Sequence, residues 1–217
     1  LTRKNVWVAA SSKNDFFFYF SKNPELINAN ADGVLLCDLE QAKTPEQLYL
    51  QYTNSKDLYS KYTAIEASKE NVGKNPFATK TVLAALKDNF YRNRLEALAS
   101  IPEESKDFLV DVEKLAQNDP KTLVKGSAIG VLVKTKNAKY LPIFEKGMLV
   151  TSSSVKGNSL AGIANLAPEK LAAYAEKVNL ENASEDLITT LLPMIVNNKI
   201  TSQMPNISQV VAFYPFI

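Results

Sequence analysis

Apolar and polar positions follow two regimes along this chain, and the change falls near residue 43. Before it, short apolar runs stand between turn formers: Val6 to Ala10, then Ser11-Ser12-Lys13-Asn14-Asp15, then Phe16 to Phe20. Ser21-Lys22-Asn23-Pro24, a short run around Leu26-Ile27, Asn28 to Gly33 and Val34 to Leu36 follow. Aromatic and β-branched residues between Asn, Asp, Gly and Pro clusters predict strands joined by turns. So short a stretch gives too few strands to bury two faces. Residues 1–42 are therefore expected to belong to a sheet that began upstream, an incomplete β segment here.

From Lys43 onward the period is helical. Thr44-Pro45-Glu46-Gln47 predicts a helix start, with a threonine N-cap, proline at N1 and Gln47 placed to complete a capping box. Leu48, Tyr49 and Tyr52 recur at helical spacing, and Ser55 to Ala67 puts Leu58, Tyr59, Tyr62 and Ile65 on one stripe. Further helices are predicted near 76–90, 92–101, 105–117, 121–134, 138–149, 153–166, 168–178, 184–197 and from 205 onward. Most connections are short and carry breakers such as Gly73, Pro102, Asn118-Asp119-Pro120, Asn137, Ser152-Ser153-Ser154, Pro168, Asn179 and Asn182. Such helices predict antiparallel neighbours.

The helical part also repeats. A template of basic, any, any, small, large aliphatic, any, any, apolar fits Arg94 to Ile101, Lys125 to Leu132 and Lys156 to Ile163. Lys61-Tyr62-Thr63-Ala64-Ile65 fits its first five positions and departs at Ser68. The basic residues are spaced 33, 31 and 31 apart. A near-constant period with two helices per unit predicts a mainly α fold for residues 43–217, an α-solenoid of antiparallel helix pairs in a HEAT/armadillo-like superhelix. Ala97, Ala128 and Ser159 are expected to be buried where helices approach closely. The column Lys61, Arg94, Lys125, Lys156 reads in two ways. It is either a basic ladder for an anionic ligand, or a set of side chains bonding acids and carbonyls between units. Its coincidence with the packing repeat favours the second.

Composition narrows the chemistry. The 217 residues contain no histidine, which removes the usual general base, the usual metal ligand and every Ser-His or Cys-His nucleophile. The single cysteine, Cys37, makes no internal disulfide or multi-thiolate metal site and reads as a buried apolar thiol. No G-x-G-x-x-G or G-x-x-x-x-G-K pattern occurs, and Lys125 to Gly130 lies inside a helical pattern with no strand before it. Net charge is +2 and only three basic residues are arginines, Arg3, Arg92 and Arg94, so nucleic acid is not an expected partner. No membrane span is expected either. An independent enzyme would have to draw its acid/base groups from Asp, Glu, Lys or Tyr alone, and Glu103-Glu104 and Glu185-Asp186 are carboxylate pairs. Both stand beside predicted helix starts, where acids favour the helix dipole without catalysis.

The repeat template, with Val124-Lys125 and Val155-Lys156 ahead of the small residue, resembles the HEAT-type repeat family, without that family's usual acidic residue and proline before the valine. A second resemblance covers more of the chain. Phe16-Phe17-Phe18, Pro24-Glu25-Leu26-Ile27 and Ala31-Asp32-Gly33-Val34-Leu35-Leu36 are similar to the last strands of the small β-sandwich in aminopeptidase N-type zinc peptidases. Lys43-Thr44-Pro45-Glu46-Gln47, Gln51-Tyr52 and Tyr62-Thr63-Ala64-Ile65-Glu66-Ala67 resemble the helices that follow that sandwich in bacterial members. The resemblance implies a non-catalytic C-terminal domain that closes the substrate chamber and limits peptide access to a zinc site on an upstream catalytic domain. That domain and the peptide substrate would be its partners, in the bacterial cytoplasm or periplasm. The family's G-A-M-E-N and H-E-x-x-H-(18)-E motifs are absent from this sequence, so no catalytic, metal or cofactor residue carries over, and zinc belongs to the parent protein. The competing expectation is a free-standing helical-repeat scaffold that binds a protein or peptide. Both ends read as cut from something longer. Val210, Val211, Phe213 and Phe216 are expected to be exposed on a final helix, favouring self-association of the fragment.

Overall fold

The computed structural model describes residues 2–9, 13–31, 33–34, 40–178 and 185–200. Among these the protein is mainly α, with ten helices. They are α1 (Pro45–Asn54), α2 (Leu58–Ser68), α3 (Pro76–Ala85), α4 (Tyr91–Ala99) and α5 (Leu109–Asn118). The chain continues through α6 (Thr122–Lys134), α7 (Leu141–Gly147), α8 (Ser153–Leu166), α9 (Pro168–Ala175) and α10 (Glu185–Asn197).

Local chemistry starts these helices where the pattern places them. Thr44 Oγ1 accepts from the Gln47 amide at 3.2 Å and the Gln47 side chain accepts from the Thr44 amide at 3.0 Å, so the capping box forms. Asp57 caps α2 through the Tyr59 and Ser60 amides, and Asn75 caps α3 through Phe77. Three boundaries differ from the periodic reading. The segment expected to be helical to residue 90 stops at Ala85: the amides of Lys87 and Asp88 bond three residues back, to Ala84 and Ala85, and the Phe90 amide goes to the Asp88 side chain instead of a helix carbonyl. Residues 105–108 form turns, with Ser105 N bonded to the Pro102 carbonyl and Leu109 N to that of Lys106, and α5 begins only after the fully buried Phe108. The 138–149 segment divides into a 3-10 turn, Ala138–Tyr140, and α7, with Pro142 at the junction.

Each odd helix packs on the even helix that follows it, and the even helices α2, α4, α6, α8 and α10 pack on one another in sequence. The core lies along that line. Ala64, Ala97, Ala128 and Ser159 are each fully buried, as are or nearly are the aliphatic residues beside them, Ile65, Leu98, Ile129 and Leu160. Small side chains are needed for the close approach. At Gly162 on α8, an added Cβ would stand 2.3 Å from the Phe144 ring of α7.

The strands expected in residues 1–42 are not found: no strand occurs among the described residues of that segment. A strand exists only where a neighbour takes its amides and carbonyls, and no such ladder forms there. Short-range ties replace it. Ala9 and Asn14 exchange two hydrogen bonds of 3.1 and 3.0 Å. Residues 25–31 are held to the helices: Asn28 Nδ2 donates to Ser60 Oγ at 3.1 Å, Ser60 Oγ to the Ala31 carbonyl at 2.6 Å, and Gln47 Nε2 to that of Glu25 at 3.3 Å. Gly33 sits at φ +64° with the Tyr59 ring 3.0 Å from where a Cβ would be, so both backbone and space require glycine. Cys37, Leu35, Leu36, Asn179, Asn182 and the expected final helix with Val210, Val211, Phe213 and Phe216 lie outside the described residues.

Candidate functional site

The basic column is the feature the sequence singled out, and the helix register explains it. Lys61, Arg94, Lys125 and Lys156 are each the fourth residue of their helix, α2, α4, α6 and α8. The same step along four helices that stack in order puts the four basic side chains at equivalent places.

The first two are committed to the next unit. Lys61 Nζ lies 2.9 Å from Asp88 Oδ2, and Tyr52 Oη donates to the same oxygen at 2.7 Å. The Phe90 amide donates to Asp88 Oδ1 at 2.8 Å. Lys61 Nζ also stands 5.1 Å from the Tyr52 ring centroid. Burial by itself would raise Asp88, but the Phe90 amide, then Lys61 and Tyr52, outweigh it and hold the carboxyl below its usual range. Burial first, then the Asp88 carboxylate, drive the Tyr52 phenol well up. Arg94 grips Asp119 with both arms, Nε to Oδ2 at 2.7 Å and Nη2 to Oδ1 at 2.9 Å. Its Nη1 donates to the carbonyls of Asp88 and Asn89 at 2.8 and 3.1 Å. Asp119 in turn accepts from the Lys121 amide at 2.8 Å.

The packing reading of the column therefore holds at Lys61 and Arg94. The side chains of Lys125 and Lys156 make no hydrogen bond or ion pair among the described residues. The sequence reading missed the acids that complete the first two positions. Asp88 and Asp119 each stand three residues before the next even helix and are 31 apart, the repeat spacing itself. That shared offset was the available signal.

Of the carboxylate pairs, Glu103 and Glu104 are both exposed. Glu103 bonds Lys134 at 2.8 Å, which lowers its pKa. Helix α5 starts only at Leu109, so Glu103-Glu104 does not stand beside a helix start as expected. Glu185 and Asp186 do open α10. A cleft of about 640 Å³ between the α3–α4 connection and α5 is lined by Asp88, Tyr91, Arg94, Asp111, Lys114 and Lys121, among others. Its charges pair internally: Lys87 bonds Asp111 at 2.9 Å, Arg94 holds Asp119, and Lys121 stands 5.6 Å from the Tyr91 ring centroid. Among the described residues no group of three or more His, Cys, Asp or Glu side chains is placed to hold a metal ion, and no helix is long and apolar enough to cross a membrane. A zinc site of the peptidase kind does not fit the residues present, which include no histidine.

No family model, curated protein or solved structure matches the chain.

Proposed function

We propose that residues 43–217 are an α-solenoid of HEAT/armadillo-like helix pairs, and that the chain is the non-catalytic C-terminal part of a zinc aminopeptidase. In this reading residues 1–42 complete a β-sandwich whose other strands lie upstream. The helical stack closes the substrate chamber, limiting which peptides reach the zinc. The observation that supports it is the state of the segment ahead of the helices. Trp7, Phe17 and Tyr19 are 89%, 81% and 96% exposed, while residues 25–31 just behind them are bonded to α1 and α2. A row of uncovered aromatics anchored beside a helical stack is what the end of a sheet without its neighbours would present.

A free-standing scaffold that binds a protein or peptide is the second reading, favoured by the regular succession of even helices alone. The reading frame upstream of Leu1 and the protein it encodes separate the two. An H-E-x-x-H segment in that frame, with aminopeptidase activity lost to a zinc chelator and restored by zinc, supports the enzyme reading. A full-length protein without that segment sinks it and leaves the scaffold.

A further inference from the structure

Lys125 breaks the pattern set by the two units before it. Lys61 and Arg94 each meet an aspartate three residues ahead of the next even helix. For Lys125 that position is Val150, three residues ahead of Ser153. Val150 offers no carboxylate, so the Lys125 ammonium, on a half-buried side chain, is left without an acceptor among the described residues. Helix α8 also loses what the aspartates give α4 and α6, a carboxylate that accepts the amide of the N-cap residue, Phe90 or Lys121, since Val150 has none to offer Ser152.

At this place a groove of about 250 Å³ opens, lined by Lys125, Lys146 and Gln117 and by the apolar Ile129, Ile143 and Val150, among others. Its lining carries two cations and no acid. The acids on the helices that form it are engaged elsewhere, Asp111 with Lys87 at 2.9 Å, Glu113 with Lys139 at 3.2 Å and Glu145 with Lys170 at 2.9 Å. We propose that this groove binds an acidic peptide segment, whose Asp or Glu carboxylate takes the place against Lys125 that Asp88 and Asp119 hold against Lys61 and Arg94. Lys146 supplies a second ammonium at the rim, and an apolar neighbour of the bound acid covers Ile129, Ile143 and Val150. Charge-assisted bonds in a partly dry groove give the carboxylate its advantage over a neutral amide. The volume suits one acidic side chain and an apolar neighbour, and is small for a drug-sized ligand. This proposal needs only the repeat and its missing aspartate, and stands apart from the peptidase reading.

The test is fluorescence anisotropy on the 217-residue chain, using a labelled pentapeptide with a central aspartate flanked by leucines and its asparagine counterpart. The aspartate peptide is expected to bind roughly ten-fold more tightly, with the difference shrinking as salt is added. Lys125→Gln should remove the difference and Lys146→Gln should reduce it, each variant keeping the wild-type circular dichroism spectrum. Val150→Asp is the decisive variant. It supplies the absent carboxylate from within the chain, so it should raise the melting temperature and abolish preference for the aspartate peptide. Equal binding of the two peptides, no binding of either, or wild-type preference in Lys125→Gln or Val150→Asp would overturn the proposal.

Discussion

Arg94 is the side chain whose chemistry is least replaceable. Its planar fork satisfies both oxygens of a buried carboxylate and two carbonyls released where α3 ends, and no other residue has that donor geometry. Arg94→Lys keeps the charge but leaves some of these acceptors unpaired. It is expected to cost about 2–3 kcal/mol, read as a fall in the urea midpoint at unchanged slope. An unchanged midpoint would mean that the fork contributes nothing net. The neighbouring node makes stability depend on pH at both extremes. Asp88 is lowered on folding, so its contribution is complete above the ordinary carboxylate value of about 4 and is lost as pH falls through its folded value. Tyr52 is raised, so its contribution is complete below about pH 10 and is lost as pH rises beyond that. Asp88→Asn should flatten the acid limb of a stability profile and Tyr52→Phe the alkaline limb. Limbs unaltered in both variants would place the titrating groups elsewhere.

At the scale of the helices, the controlling quantity is how closely the even members approach. The column Ala64, Ala97, Ala128, Ser159 has a hydroxyl only at its last member, and Ser159 Oγ is buried with no hydrogen-bond partner. Ser159→Ala restores the repeat's own residue and should stabilise by about 1 kcal/mol. Ala128→Leu runs the other way. Leucine adds three heavy atoms to a site with no exposed surface, and the overpacking should cost about 1–3 kcal/mol. Gly162→Ala is destabilising as well, although alanine is the better helix former, because the new methyl meets the Phe144 ring. Chemical denaturation of the three variants checks the register together. A shift of Ser159→Ala in the same direction as Ala128→Leu would show that the small-residue column is misplaced.

For the whole molecule, the predictions follow from the proposed supporting role. The chain alone is expected to turn over no aminoacyl chromogenic substrate with added zinc, since it has neither histidine nor a zinc-binding helix motif. Turnover that persists through rigorous removal of contaminating peptidases would contradict this. The exposed Trp7, Phe17 and Tyr19 form an apolar edge that water covers poorly, so solution mass should rise with concentration. Replacing the three by serine should suppress that rise. A constant monomer mass in the wild type would show that the edge is not adhesive.

How much the sequence settled differs between the two halves of the chain. The capping box of Thr44 and Gln47, the span 153–166 and the burial of Ala97, Ala128 and Ser159 were all legible, because helical signals act within one or two turns and the repeat states them several times. Residues 6–20 differ for the converse reason: strand-like composition is local, but a strand needs amides and carbonyls from a distant partner, and no strand occurs among the described residues there. The pairs Lys61–Asp88 and Arg94–Asp119 were equally out of reach. An aspartate before a helix reads locally as a partner for amides at the helix start, and both do accept the amide of the N-cap residue, but only the stacking of one unit on the next brings each carboxylate to its cation. Sequence by itself therefore determined the helices, their period and the absence of histidine chemistry. Tertiary structure alone decided which charges meet and left Lys125 beside Val150, because pairing between units depends on distances that local periodicity does not encode.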